Sequence, residues 1–244
     1  MKFEKPLIQP LGKQAILLSW QENIDENLLY HLLQLKNNIQ QNYTKVKVEV
    51  INTYNSLLIN YSSTINNIYR EISVVEKLMD SQRKKAHLQF YQFSLPVCYD
   101  QKFGLDLEEL SQQNQLEISE IIQLHTQPNY TIFFKGFLPG FLYLGGLDEK
   151  LHISRKKSPR LKVEKGAVGI GEKQTGIYPQ ISAGGWQLIG NCPVPIFEVN
   201  QQKPSPFQAG DKLKFEAVSM EDYQTIQQEV NQGTYQLKKE VYEH

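Results

Sequence analysis

Six cations fall within eleven residues, Arg155, Lys156, Lys157, Arg160, Lys162 and Lys165, in the stretch from Gly136 to Gly190 that also holds eleven of the chain's fifteen glycines. Arginine presents forked guanidinium donors that grip two oxygens of a phosphate or carboxylate, which makes Arg155 and Arg160 candidate anion ligands. The other reading is a solvated loop, in which charge between glycine turns only keeps the segment wet. Further on, Gln174, Thr175, Tyr178 and Trp186 offer amide, hydroxyl and aromatic surfaces beside glycines that let a ligand approach the backbone. Those four residues could equally be barrel core and turn hydrogen bonding. Phe137, Phe141 and Tyr143 flank Pro139-Gly140 and read as core or subunit interface, since aromatics are enriched in both. His125 closes a predicted helix, where the dipole favours an imidazolium; a general acid or base role is the second reading.

Other chemistries fail on their spacing. Gly166 and Gly171 have the separation of a phosphate-binding loop, but Glu172 stands where its lysine belongs, and Gly176 and Pro179 deny the helix whose N-terminus would hold the phosphates. A dinucleotide fingerprint fails because Gln174 replaces the third glycine. The histidines (His31, His87, His125, His152, His244) show no paired metal-ligand spacing, so no metal site is expected. Gln180 to Gly184 nearly copies a serine-hydrolase elbow but starts with Gln instead of Gly.

Elements must hold these groups. The 244 residues suffice for two domains, and 26 cations against 26 anions argue against a nucleic-acid binder. No run approaches a membrane span and the first residues lack an apolar leader core. Two distant cysteines, Cys98 and Cys192, suggest neither a disulfide framework nor zinc, so a cytoplasmic protein is expected. Gln14 to Trp20 predicts a strand. Asp25 opens a helix to about Asn42 with Leu28, Leu32, Leu35 and Ile39 on one face. Val46, Val48 and Val50 alternate as a strand, Leu57 to Tyr61 follows, Thr64 caps a helix carrying Ile65, Ile68, Ile72, Val75 and Met79, and His87 to Phe93 reads as one more strand. This βαββαβ order is ferredoxin-like and is assigned to residues 1–94. Leu95-Pro96 marks the boundary, because proline ends a ladder. Residues 95–244 then read as two short helices (Leu107 to Gln113, and Ser119 to His125 with Ser119 as cap), many short strands of a β-barrel, and a helix from Met220 to about Gln232 capped by Ser219; the last dozen residues should fray.

Taken together, Gly136-Phe137-Leu138-Pro139-Gly140-Phe141, Ser158-Pro159-Arg160, Gln174-Thr175-Gly176-Ile177-Tyr178-Pro179 and Gly184-Gly185-Trp186-Gln187-Leu188-Ile189-Gly190 resemble the signature of the KipI/PxpB family, the B subunits of 5-oxoprolinase, also known as allophanate hydrolase subunit 1. The resemblance implies an α+β protein with a ferredoxin-like N-terminal domain and a cyclophilin-like barrel. It also implies ATP-dependent opening of 5-oxo-L-proline to L-glutamate, with ATP as co-substrate, in a complex with subunits A and C. In this light His125, followed by Thr126 and Tyr130 as in the family pattern, and Arg160 are the expected catalytic groups. Arg155, Gln174, Thr175, Tyr178 and Trp186 are the expected binding groups, and Phe137, Pro139 and Phe141 the expected interface. Two other classes stay open: a regulator that binds a sensor histidine kinase, and, from the barrel shape alone, a prolyl isomerase. The sequence departs from the family pattern at Leu142, Glu164, Ala183 and Asn191-Cys192, the last replacing an arginine and a threonine.

Overall fold

The computed structural model describes residues 4–21, 24–43, 47–80 and 88–242, and the chain divides into two units, residues 1–88 and 89–244. Val46, His87 and His244 lie outside the described residues. In the first unit, β1 (Leu7–Leu11), β2 (Ala15–Ser19), α1 (Glu26–Asn42), β3 (Val48–Asn52), β4 (Ser56–Tyr61) and α2 (Ile68–Asp80) follow in order. Asp25 caps α1 by accepting from the Asn27 and Leu28 amides at 2.7 and 3.2 Å. Leu28, Leu32, Leu35 and Ile39 then fall on one buried face against Ile16, Leu18, Leu57 and Ile59 of the sheet. Asn67 caps α2, not Thr64: the Ile65 amide is committed to the Lys13 carbonyl, which keeps this segment extended until Asn67 accepts from the Arg70 amide at 3.0 Å.

The four strands form an antiparallel sheet in the order β1-β2-β4-β3. Strands β2, β3 and β4 with α1 make a split βαβ, but the place beside β2 that the last strand of a ferredoxin-like unit would fill is held by the N-terminal β1. The strand expected at His87 to Phe93 is the start of β5 (Phe90–Cys98) and pairs in the second unit. The ferredoxin-like assignment is therefore corrected to a ββαββα arrangement.

Leu95-Pro96, expected to separate the domains, lies in the middle of β5. The physical reason is local. The Ser94 amide, two residues earlier and so on the same side as the ring nitrogen of Pro96, reaches the Lys238 carbonyl, and that edge of β5 is then unpaired until Cys98 meets Asn191. Proline removes no ladder bond there. After β5 come α3 (Leu107–Asn114), α4 (Ile118–Thr126), β6 (Tyr130–Lys135), β7 (Leu142–Gly145), β8 (Arg160–Val163), β9 (Ala167–Gly171), β10 (Gln174–Ile177), β11 (Ser182–Gly184), β12 (Gln187–Asn191), β13 (Lys212–Val218), α5 (Met220–Gln232) and β14 (Lys239–Tyr242). Ser219 caps α5 as expected, accepting from the Asp222 amide at 3.0 Å. Ser119 does not cap α4: the turn from α3 is fixed by Leu116 N to Ser111 O and Ser111 Oγ to Leu116 O, so the helix starts one residue earlier with Glu117 at the cap.

One sheet runs β10-β9-β12-β5-β13-β6-β7, with β14 on β5, and β8 pairs β11 separately. Of the last dozen residues, expected to fray, Lys239–Tyr242 form a strand, with Lys239 over the Tyr91 ring and Lys212 over that of Tyr242. The sheet nearly closes on itself, since a Cβ at Gly176 of β10 would stand 3.1 Å from the Leu142 carbonyl of β7. It is compatible with a cyclophilin-like barrel, filled by Leu95, Ile132, Val168, Ile189, Leu213 and Phe215.

Candidate functional site

The aromatic residues of the glycine-rich stretch meet in one cluster beside the barrel core. Phe141, Tyr178 and Trp186 are buried with Val163, Ala167 and Leu188, the Trp186 ring edge-on to Phe141 at 5.4 Å and to Tyr178 at 6.4 Å. Glycines are the seats. A Cβ at Gly171 would lie 2.4 Å from the Trp186 indole, and one at Gly184 2.4 Å from the Tyr178 hydroxyl oxygen. Trp186, expected to line a ligand pocket, is thus a packing residue and Phe141 belongs with it, while Tyr178 packs in the same cluster and also borders the concavity that Asn191 lines. Phe137 and Pro139 are exposed. Phe137 adopts φ 61° in a tight turn in which the Leu138 amide returns to the Gly136 carbonyl at 2.7 Å, a strained conformation for an aromatic residue.

His125 has no exposed surface. Thr175 Oγ1 spends its proton on the Gly169 carbonyl at 3.0 Å, so it accepts from His125 Nε2 at 2.8 Å; Nδ1 is then an acceptor, and Tyr99 Oη donates to it at 2.7 Å. This assigns the neutral Nε2–H tautomer. The ring stacks on Phe215 at 4.6 Å, and burial lowers its pKa to about 3. The expectation of His125 as a catalytic group and of Thr175 as a ligand donor is corrected: both ring nitrogens and the hydroxyl are spent inside the core, tying α4 to the β9–β10 hairpin. Gln174 opens β10 half-buried, opposite Gly171.

The basic loop separates into two kinds of cation. Arg160 Nη2 reaches Asp106 Oδ1 at 2.7 Å, and Lys156 Nζ reaches the same oxygen at 2.8 Å, Glu109 Oε2 at 2.9 Å and Gln187 Oε1 at 3.2 Å. Asp106 Oδ2 accepts from the Leu188 amide at 2.6 Å, while the Asp106 amide donates to the Leu188 carbonyl. One buried carboxylate therefore ties the head of α3, the basic loop and β12 together. Burial pushes the Asp106 carboxyl up, but hydrogen bonds from Arg160, Lys156 and the Leu188 amide outweigh it and leave it below its ordinary value. The hydrogen bond to Asp106, and after it that to Glu109, raise the Lys156 ammonium against the opposing effect of burial. Arg155 differs: its side chain is half exposed and its Nε stands 3.8 Å from Glu172 Oε1.

Asp106, Glu109 and Gln187 escaped sequence reading. The available signal was an acidic residue at the head of the helix beginning at Leu107, where it would pass for an N-cap; here it makes no side-chain cap bond because both oxygens are used elsewhere. Asn191, at the position of the family arginine, donates to the Lys165 carbonyl and accepts from Tyr223 Oη at 2.9 Å, so it fastens α5 to the barrel. It lines a concavity of about 450 Å³ with Lys165, Tyr178, Pro193, Tyr223 and Gln227. Among the described residues no cluster of metal ligands occurs, and no helix is long and apolar enough to cross a membrane.

A split βαβ sheet followed by a nearly closed barrel, with a buried carboxylate beneath a basic loop, defines a mixed α and β class of two-unit proteins. Residues 6–207 match the family described as carboxyltransferase domain, subdomain C and D. A relative from Bacillus subtilis (strain 168), the B subunit of 5-oxoprolinase, is 33% identical over 92% of this chain and 98% of its own length. The crystal structure of TTHA0988 is 26% identical and superposes with a TM-score of 0.71 over 84% of this chain and 40% of that one. The K. lactis urea amidolyase shares the fold, with a TM-score of 0.80 at 18% identity over 96% of this chain and 16% of that one. The chain spans less than half the length of both solved chains. It belongs to the carboxyltransferase subdomain C and D family, in the branch named for the B subunit of 5-oxoprolinase.

Proposed function

We propose that the chain is a non-autonomous subunit of an ATP-dependent amide-opening complex, one that converts 5-oxo-L-proline to L-glutamate together with subunits A and C. The match to the 5-oxoprolinase B subunit over 98% of that relative carries this reading. The geometry agrees with a shared site: His125 is sealed, Asp106 holds Lys156 and Arg160, and the exposed groups left in the basic loop are mostly cations, with Glu164 paired to Lys162 at 2.7 Å. Such a surface suits an anionic substrate more than it suits proton abstraction. A lactam carbonyl is a poor electrophile, and transfer of the ATP γ-phosphoryl group to its oxygen activates the carbon toward water. That step calls for cations around the transferred group. In this reading the basic loop contributes them, and the groups that handle protons come from the partner subunits. Exposed Phe137 and Pro139 form part of the face that meets a partner.

The test is co-expression with candidate subunits A and C and an assay of 5-oxoproline-dependent ATP hydrolysis, omitting each chain in turn. Turnover that requires all three is expected. A stable complex without turnover would overturn the enzymatic reading in favour of a binding regulator, for which a sensor histidine kinase is the partner to try.

A further inference from the structure

The two arginines of the basic loop are held in opposite ways. Arg160 makes a 2.7 Å pair with a carboxylate that is 4% exposed, and its other terminal nitrogen, Nη1, is buried without a hydrogen-bond partner among the described residues, so neither terminal nitrogen is presented at the surface. Arg155 is anchored through its backbone neighbours. On one side Ile153 and Glu172 exchange both backbone hydrogen bonds, at 2.6 and 3.2 Å; on the other the Lys156 amide donates to the Gly185 carbonyl at 2.7 Å while its Nζ enters the Asp106 node. The guanidinium between these anchors is half exposed; among the described residues its ion pair is a long one, to the exposed Glu172 at 3.8 Å, and Tyr143 and Tyr178 lie within electrostatic reach. Fixed backbone and donors held at the surface together make a preorganised anion ligand; Arg160 has the first, but its terminal donors are turned inward, one on Asp106 and one buried.

We propose that Asp106 is a positioning residue for the basic loop: by binding Lys156 and Arg160 it fixes the backbone so that Arg155, not Arg160, meets an oxyanion of the substrate. The proposal rests on the function argued above and names the residue that contacts the anion there. That oxyanion is either a phosphate oxygen of ATP or the carboxylate of 5-oxoproline. Loss of Asp106 would leave Arg155 in the chain but no longer held in place.

The experiment uses the reconstituted complex, with KM for ATP and for 5-oxoproline measured separately, and the melting temperature of the isolated chain for each variant. Arg155→Ala should leave the melting temperature unchanged and raise one of the two KM values about tenfold, with a smaller effect on kcat. The KM that moves identifies the phosphate or the carboxylate. Asp106→Asn should lower the melting temperature and raise that same KM, and adding Arg155→Ala to it should raise KM further by much less than in the wild type. An Arg160→Ala chain that melts normally but shows the KM defect would overturn the proposal, as would an Asp106→Asn chain that loses stability while keeping that KM. Should the wild-type complex show no turnover, the functional reading fails and tryptic cleavage after Arg155 decides the positioning role. Cleavage about tenfold faster in Asp106→Asn supports it through local opening, and equal rates overturn it.

Discussion

The Asp106 carboxylate takes three side-chain or backbone donors on its two oxygens while 4% exposed, and removing it strands more than one charge. Asp106→Ala leaves the Lys156 and Arg160 cations and the Leu188 amide without this acceptor, so a loss of about 3 kcal/mol is expected in urea unfolding at pH 7. A loss below about 0.5 kcal/mol would mean that solvent takes over the role. The pH sign follows from the lowered carboxyl: its contribution is present above the ordinary carboxylate range and disappears as pH falls through the folded value. A second residue-scale expectation concerns Cys192, whose thiol burial pushes up to about 12. Alkylation of native protein at pH 8 should therefore be slow and should reach the unfolded-state rate only in denaturant; rapid labelling of folded chain would contradict the burial. The cations of the basic loop were legible in the sequence because charge is written in residue type. Their sorting was not, since the carboxylate that divides Arg160 from Arg155 lies some fifty positions away and resembles an ordinary helix cap.

At the scale of elements, the glycine-rich strands are shaped by the aromatic rings they carry. Gly171 ends β9 where a Cβ would meet the Trp186 indole at 2.4 Å, and ring atoms in a packed cluster cannot yield as the end of a flexible chain would. Gly171→Ala should cost roughly 1–3 kcal/mol and shift Trp186 emission, read in a Trp20→Phe background. An unchanged spectrum and stability would show that the cluster is looser than it is drawn. The Ser219 cap revealed the start of α5, alternation revealed β3, and periodicity revealed α1 and α2, because a helix buries a repeating face. What it could not reveal was pairing. β5 looks like the last strand of the first unit when read locally, yet its partners β13 and β14 lie more than a hundred residues downstream, and Pro96 misled because its harmless position depends on where those partners stop. His125 and Thr175 were legible as polar residues in a suggestive place; only the contact across β9, β10 and α4 shows that they satisfy each other.

For the molecule as a whole, each unit carries its own core and one tryptophan, Trp20 in the first and Trp186 in the second, so Trp20→Phe and Trp186→Phe let each unit be followed alone. Acid should act on the second unit through His125. Its folded pKa of about 3 lies below the unfolded value of 6.5, so the unfolded state binds the proton first. The stabilising effect of a neutral imidazole is complete above pH 6.5 and is lost progressively toward pH 3. Between pH 6.5 and 4.5 the expected loss is roughly 2–3 kcal/mol, read by urea unfolding with Trp186 as reporter. Asp211 works in the same unit with the opposite sign, because burial raises its carboxyl and a protonated group favours the folded state as pH falls. The His125 share is therefore obtained by difference, from the flatter profile expected of His125→Asn. That variant should be weaker at pH 7, where Tyr99 and Thr175 lose a partner, and should converge on the parent as pH falls. In the first unit burial also lowers the pKa of His31, which gives the same sign of dependence there, seen through Trp20. If the Trp186 profile were flat from pH 6.5 to 4.5 in the parent and unchanged in His125→Asn, water would have to reach the imidazole. The sealed relay from Tyr99 to Gly169 would then be wrong, and His125 would again be a group that chemistry can reach.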